Sequence, residues 1–275
     1  MPMSRVATML EFEFMRNAFA ASTIVAILAG AVGAFLVLRG QTFAGHALSH
    51  VGFAGATGAI LVGASPLAGL FVVTLLCGIG MGWMGEKLQG RDVAIGLVLT
   101  VSLGCGLLFL HFYTAFAAQA TALLFGNVLG VDAHTLWLLL SLGLLSLALL
   151  AVIARPLLFA SLQPELAEAR GVSLRLVSVL FMVVVAAATA ECAQIVGVLL
   201  VFALMVGPPA TALRVTTQFG RCVALSVVLA LAQAWIGLTL AFYTDWPTSF
   251  WITALGALGY IAAHLWAARP RLSSV

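Results

Sequence analysis

Apolar runs of about 18 residues or more recur along the chain from Asn17 to Trp266, separated by short turns carrying Gly, Pro, Ser and Arg. Each helical residue advances only ~1.5 Å, so about 20 of them are needed to cross a hydrocarbon core. Inside lipid the backbone donors and acceptors of such a run must be satisfied within it, which makes these runs helices. Only 8% of the 275 residues are charged and 63% are hydrophobic, whereas soluble domains carry about 25% charged residues. A soluble globule of this size could not cover itself with so few charges. The fold class is therefore all-α, a polytopic membrane protein with about 8–9 transmembrane helices.

In chain order, spans are expected at about 17–38, 45–62, 66–84, 93–112, 136–153, 176–189, 223–243 and 250–266. Residues 1–16 alternate charge and bulk without a separate apolar core, and read as an interfacial lead-in rather than a cleavable signal. Residues 17–268 form the transmembrane domain, with 161–175 as its most polar internal segment and 269–275 as a cytoplasmic tail. The stretch 113–134 is too interrupted to span cleanly and suggests a short or re-entrant helix. The run ending at Gly207-Pro208-Pro209 leaves the number of spans open, because two prolines argue against a regular helix interior.

Charge supplies an orientation. With alternating spans, Arg39, Lys87, Arg91, Arg155, Arg170, Arg175, Arg214, Arg221, Arg269 and Arg271 share one side. The opposite turns, near Ser65, Asp132, Glu191 and Asp245, carry no Lys or Arg. The basic side is then cytoplasmic. Nine alternating spans put the N-terminus outside, where Arg5 and Arg16 fit that rule poorly. The net charge of +3 reflects topology and gives no reason to expect nucleic acid.

Polar residues inside such a chain are where function concentrates. Two of the five histidines, His46 and His50, stand four residues apart, so on a helix their side chains lie one above the other. Imidazole is a common metal ligand, and this spacing presents two nitrogens to one ion. Hydrogen bonding to neighbouring helices is the structural alternative, which spacing alone does not exclude. Two ligands are fewer than zinc usually takes; Glu191, His111 and His134 are the supplements the sequence offers. Glu191 reads first as an outer loop residue, and otherwise as a cavity-lining carboxylate that binds a cation. Gly52, Gly55 and Gly58, with Ala47, Ala54, Ala56 and Ala59, make the histidine helix small-sided, which suits close packing in lipid.

The segment Ser161 to Gly171 reads as a short capped helix on the cytoplasmic side. Pro164 suits its first turn, Glu165 and Glu168 suit the positive end of its dipole, and Gly171 suits a left-handed cap. It is either a solvated connector or a docking helix. The four cysteines show no C-x-x-C spacing, which argues against a zinc knuckle or a disulfide framework. The chain lacks a Walker A glycine loop, so an ATP-driven role needs a separate ATPase.

Phe35-Leu36-Val37-Leu38-Arg39 followed by Phe43-Ala44-Gly45-His46-Ala47-Leu48-Ser49-His50 resembles the signature of the permease subunits of zinc, manganese and iron ABC importers. Leu124 to Gly130 is similar to that family's mid-chain Phe-Gly motif. Glu168-Ala169-Arg170-Gly171 is similar to the end of its coupling segment, and Val196 to Leu204 with Pro209-Ala210-Thr211-Ala212 to its late membrane motif.

The resemblance implies a homodimeric permease of a prokaryotic cytoplasmic membrane, bound to two cytoplasmic ABC ATPases and fed by an extracytoplasmic metal-binding protein. It implies alternating access, no enzymatic activity of the chain itself and no permanently bound cofactor. ATPase coupling falls on Glu165, Glu168, Ala169 and Gly171. The family pair at the signature is usually Asp-x-x-x-His; His50 matches and His46 departs from it. An imidazole in place of a carboxylate favours zinc over manganese, and a neutral pair holds a dication less tightly as protons compete. The transported ion is thus expected to be zinc, with manganese, iron or a metal chelate as alternatives. A membrane enzyme built on His46, His50 and Ser49 is a further alternative from a different class.

Overall fold

The computed structural model describes Met9 and residues 11–85, 90–112, 124–198 and 200–267. The helices are α1 Glu13–Leu38, α2 Thr42–Leu61, α3 Pro66–Met84, α4 Arg91–His111, α5 Ala133–Leu162, α6 Pro164–Ala169, α7 Leu174–Val196, α8 Val201–Val215, α9 Phe219–Thr244 and α10 Thr248–Ala267. A 3-10 turn, Val128–Gly130, precedes α5, and no strand occurs among the described residues. Seven of these helices, α1, α3, α4, α5, α7, α9 and α10, are long and apolar enough to cross a membrane. Helix α2 has comparable length, but Gly, Ser, Thr and His dilute its apolar character. It lies inside the bundle rather than against lipid. The protein is an all-α, multi-pass membrane protein.

The helices fall into two packed groups. Helix α2 packs between α3 and α4, and α3 packs in turn on α7. Helices α1, α8, α9 and α10 form the second group, and α5 bridges α1 and α7. Helices α1 and α7 are the most deeply buried, while α4 and α10 lie at the periphery. Leu76, Trp83, Val101, Leu145 and Val152 point outward, as lipid-facing side chains do. Interhelical hydrogen bonds tie the second group together. Ser226 Oγ donates to the Gly30 carbonyl at 2.8 Å, Gln233 Nε2 to the Ile252 carbonyl at 2.7 Å, and Trp235 Nε1 to Thr23 Oγ1 at 3.0 Å.

Three sequence expectations are corrected. Helix α5 was expected to end near Ile153, yet it runs two turns past Pro156. Helix α7 was expected to stop near Thr189 with Glu191 in an outer loop; it continues to Val196 and places Glu191 inside the helix, fully buried. Pro208 and Pro209 both lie within α8, a continuous helix of 15 residues. A proline leaves the carbonyl four residues earlier without its helical donor, so Pro209 frees the carbonyl of Met205. Gly33 of α1 packs against that carbonyl so closely that a β-carbon would collide with it and with the Pro209 ring. The freed carbonyl is thus packed against the backbone of α1 rather than against lipid.

The end of the bundle that carries Arg39 also carries Arg91, Arg170 and Arg175, in agreement with the charge pattern. Arg39 sits near enough to Arg91 to feel its charge, and Arg175 lies 5.4 Å from the centre of the Trp83 ring. At the other end, Asn17 Nδ2 donates to the Val131 carbonyl at 3.2 Å and Ser249 Oγ to the Phe125 carbonyl at 3.0 Å. Lys87, Arg269 and Arg271 lie outside the described residues, as do residues 113–123 of the expected irregular segment.

Candidate metal site

Helix α2 is positioned by its small residues. A β-carbon at Gly55 would strike the Gly69 carbonyl and Val73, and one at Gly69 would strike the Gly55 carbonyl and Ala59. Gly52 packs on Leu70 and Thr74, and Gly106 of α4 receives the Phe53 ring. The glycines therefore do what tight membrane packing asks of them. Beside these contacts α2 carries Phe43 against Gly96 of α4 and His46 against Phe202 of α8, with His50 one turn further along.

The two imidazoles meet edge to face, with ring centres 4.8 Å apart and planes at 83°. His46 is half-buried and His50 is buried. Both Nδ1 atoms are buried without a hydrogen-bond partner among the described residues. Ser49, between them, turns its hydroxyl back to the His46 carbonyl at 2.7 Å and does not engage either ring. On its other side, His46 meets the Phe202 ring of α8 at 5.3 Å and 79°. Zinc–nitrogen bonds are about 2.0–2.1 Å long, so rings this close can reach one ion.

Glu191 does not join them. Its carboxylate faces Gly143 and Ser146 of α5, where a β-carbon at Gly143 would lie 3.3 Å from Oε2. The Ser146 hydroxyl approaches it without forming a well-made hydrogen bond. His111 lies against Phe112 at the exposed end of α4, and His134 is exposed in the first turn of α5. Among the described residues no cluster of three or more His, Cys, Asp or Glu side chains could hold a metal. Sequence reasoning missed Phe202 as the neighbour of His46. It stands in the late apolar motif, but nothing along the chain ties that motif to residue 46.

The expected cytoplasmic helix is present as α6, with Ala167 fully buried and Glu165, Glu168 and Ala169 exposed. Its end is a Schellman motif: the Gly171 N–H bonds the Glu168 carbonyl at 3.0 Å and the Val172 N–H the Ala167 carbonyl at 3.0 Å. Gly171 takes φ +83°, a conformation that side chains disfavour. Beside α6 opens a cavity of about 670 Å³ lined by Arg39, Gly85, Pro164, Glu168, Arg175 and Ser178, among others.

A helical membrane bundle with an imidazole pair at the seam between two helix groups, and a capped helix projecting from its basic end, has the make-up of a transport permease. Residues 11–267 match the ABC 3 transport family, and the chain belongs to it. Among its relatives is the manganese transport system membrane protein MntC of Listeria innocua, 27% identical over 96% of this chain and 94% of that protein. A probable iron transport system membrane protein of Haemophilus influenzae is 30% identical over 92% of this chain and 94% of its own length. The solved structure of PsaBC from Streptococcus pneumoniae in complex with Fab superposes with a TM-score of 0.85 at 26% identity, covering 96% of this chain and 95% of that one. The expected kinship with metal-importer permeases thus holds at the level of family and fold, and places the protein in a prokaryotic cytoplasmic membrane.

Proposed function

We propose that the chain is the membrane permease of an ATP-driven importer for a divalent transition-metal ion, with His46 and His50 as ligands to the ion in transit. The observation that carries this reading is the contact of two imidazoles, each with a buried Nδ1 that no described residue partners, in a chain of the ABC 3 transport family. Two neutral nitrogens suit zinc. The names of the relatives, manganese and iron transport proteins, support manganese at least as strongly. What both lines of support share is a divalent transition-metal ion.

Two imidazoles leave the coordination shell of such an ion incomplete. The exposure of Phe43 and Phe202 beside the pair is consistent with a second copy of the permease completing this face. ATP hydrolysis is assigned to a partner ATPase docked at α6, and delivery of the ion to an extracytoplasmic binding protein. The test is uptake of radiolabelled zinc, manganese and iron into membranes containing all subunits. Replacing both histidines by alanine should abolish uptake while the complex still assembles. Normal uptake by the double variant would overturn the assignment of these residues. Uptake only of chelated metal would replace the free ion with a chelate as substrate.

A further inference from the structure

His46 is flanked by rings on two sides, and its Nδ1 has no hydrogen-bond partner among the described residues. Whichever nitrogen meets the ion, a ligating histidine ordinarily gives the other to a carboxylate, carbonyl or water, which fixes the tautomer and the ring plane. Among the described residues neither imidazole makes such a hydrogen bond. The buried Nδ1 of His50 likewise has no partner among the described residues. Ring packing is left to orient the pair, and edge-to-face contacts are directional enough to do so.

The ring that packs on His46 from outside the pair comes from a different part of the bundle. Phe202 is the second residue of α8, which begins after the break at Gly197, where φ is +85°. Helix α8 packs mainly on α1, α9 and α10, whereas α2 packs mainly on α3 and α4. The Phe202–His46 contact therefore crosses the seam between the two helix groups. A shift of α8 against α2 would move this ring over the imidazole.

We propose that Phe202 is the positioning residue of the metal site: its ring holds the His46 imidazole in the orientation that meets an ion together with His50. Metal affinity is thereby tied to the placement of α8 against α2. The inference rests on His46 and His50 being ligands. Loss of an orienting neighbour of a metal ligand typically weakens binding by about 10–100-fold.

The test is calorimetric titration of the purified permease–ATPase complex with zinc chloride and, separately, manganese chloride. Phe202→Leu should weaken binding by about tenfold or more with an unchanged gel-filtration profile. Phe202→Tyr, which keeps the ring, should restore native affinity. Where Leu disturbs assembly, Phe202→Ile carries the same comparison. Native affinity in the Leu or Ile variant, alongside lost binding in His46→Ala, overturns the inference and leaves the site standing. Equal losses in the Tyr and Leu variants overturn it too, because the ring is then not what matters. Native affinity in His46→Ala overturns both the site and the inference.

Discussion

The Arg39 guanidinium donates a 2.9 Å hydrogen bond to the Ser161 hydroxyl and lies 5.5 Å from the centre of the Phe181 ring. One side chain at the end of α1 thus fastens the end of α5 and the body of α7, the two helices that flank α6. A hydrogen bond from a charged donor contributes about 1.5–3 kcal/mol, and a cation over an aromatic face adds about 0.5–2 kcal/mol. Arg39→Ala should lower the melting temperature of the detergent-solubilised permease more than Ser161→Ala does. Arg39→Lys should fall between them, since a point charge keeps attraction to the ring but loses the planar fork. Equal melting temperatures for all three variants and the native protein would remove the contact from any account of this end of the bundle.

Helix α6 supports a prediction about assembly. The Ala167 N–H donates to the Gln163 carbonyl at 3.0 Å, and its methyl group is fully buried. Ala167→Pro removes that donor and sets a ring against the preceding turn, so the six-residue helix should not form. The ATPase should then fail to co-purify with the permease. Undiminished co-purification would reduce α6 to a solvated connector.

Close approach of α2 to α3 makes a third prediction. Because Gly55 and Gly69 back onto each other's carbonyls, Gly55→Val or Gly69→Val should cost about 1–3 kcal/mol through overpacking. Gly104 of α4 has open space where its β-carbon would go, so Gly104→Ala should be neutral. Thermal denaturation of the three variants in one detergent makes the comparison. A loss at Gly104 as large as at Gly55 would point to glycine content in general rather than to this contact.

Much of this architecture was legible along the chain. The apolar runs gave most of the spans within a few residues, because in lipid a run must be a helix and its length is fixed by the bilayer. The cap at Gly171 was legible because it is local: Schellman chemistry needs one residue at positive φ. The errors at Pro156, Pro208 and Glu191 share a physical cause. Local rules end a helix at proline or at a buried charge, whereas Gly33 packs against the carbonyl that Pro209 frees, and Gly143 with Ser146 makes room for the Glu191 carboxylate. Those partners are distant in sequence. His46 and His50 were visible as a pair because helical spacing is local, but the ring that packs on His46 comes from residue 202.

Glu191 illustrates what such a niche permits. The carboxylate is fully buried and no charged group among the described residues faces it; Gly143 and Ile24 close the space around it. A charge held without a counter-charge is costly in this setting, so Glu191→Gln, of equal size and neutral, should assemble at least as stably as the native protein. Glu191→Lys, longer and cationic, should reduce the yield of folded permease several-fold. The readout is monodisperse protein recovered per unit of membrane. A folded, stable lysine variant would require an unrecognised acidic partner, and a collapsed glutamine variant would show that the ionised carboxylate itself is needed.

The departure at position 46 supports the most discriminating prediction about the cargo. His46→Asp restores the Asp-x-x-x-His pattern and replaces a neutral nitrogen by a charged oxygen beside His50. Manganese prefers oxygen donors and zinc accepts imidazole readily, so the substitution should shift the ratio of manganese to zinc uptake toward manganese. A tenfold shift would correspond to about 1.4 kcal/mol. Protons compete for an imidazole near pH ~6.5 but for a carboxylate only near pH ~3.9. Uptake by the native protein should therefore weaken as pH falls through the imidazole range, and the Asp variant should retain more of its uptake there. Uptake of both metals across that pH range, by native and variant permease with all subunits present, measures both effects. An unchanged metal ratio with an unchanged pH profile would mean that position 46 does not touch the ion, and the departure from the family pattern would then be a matter of packing against Phe202 rather than of metal choice.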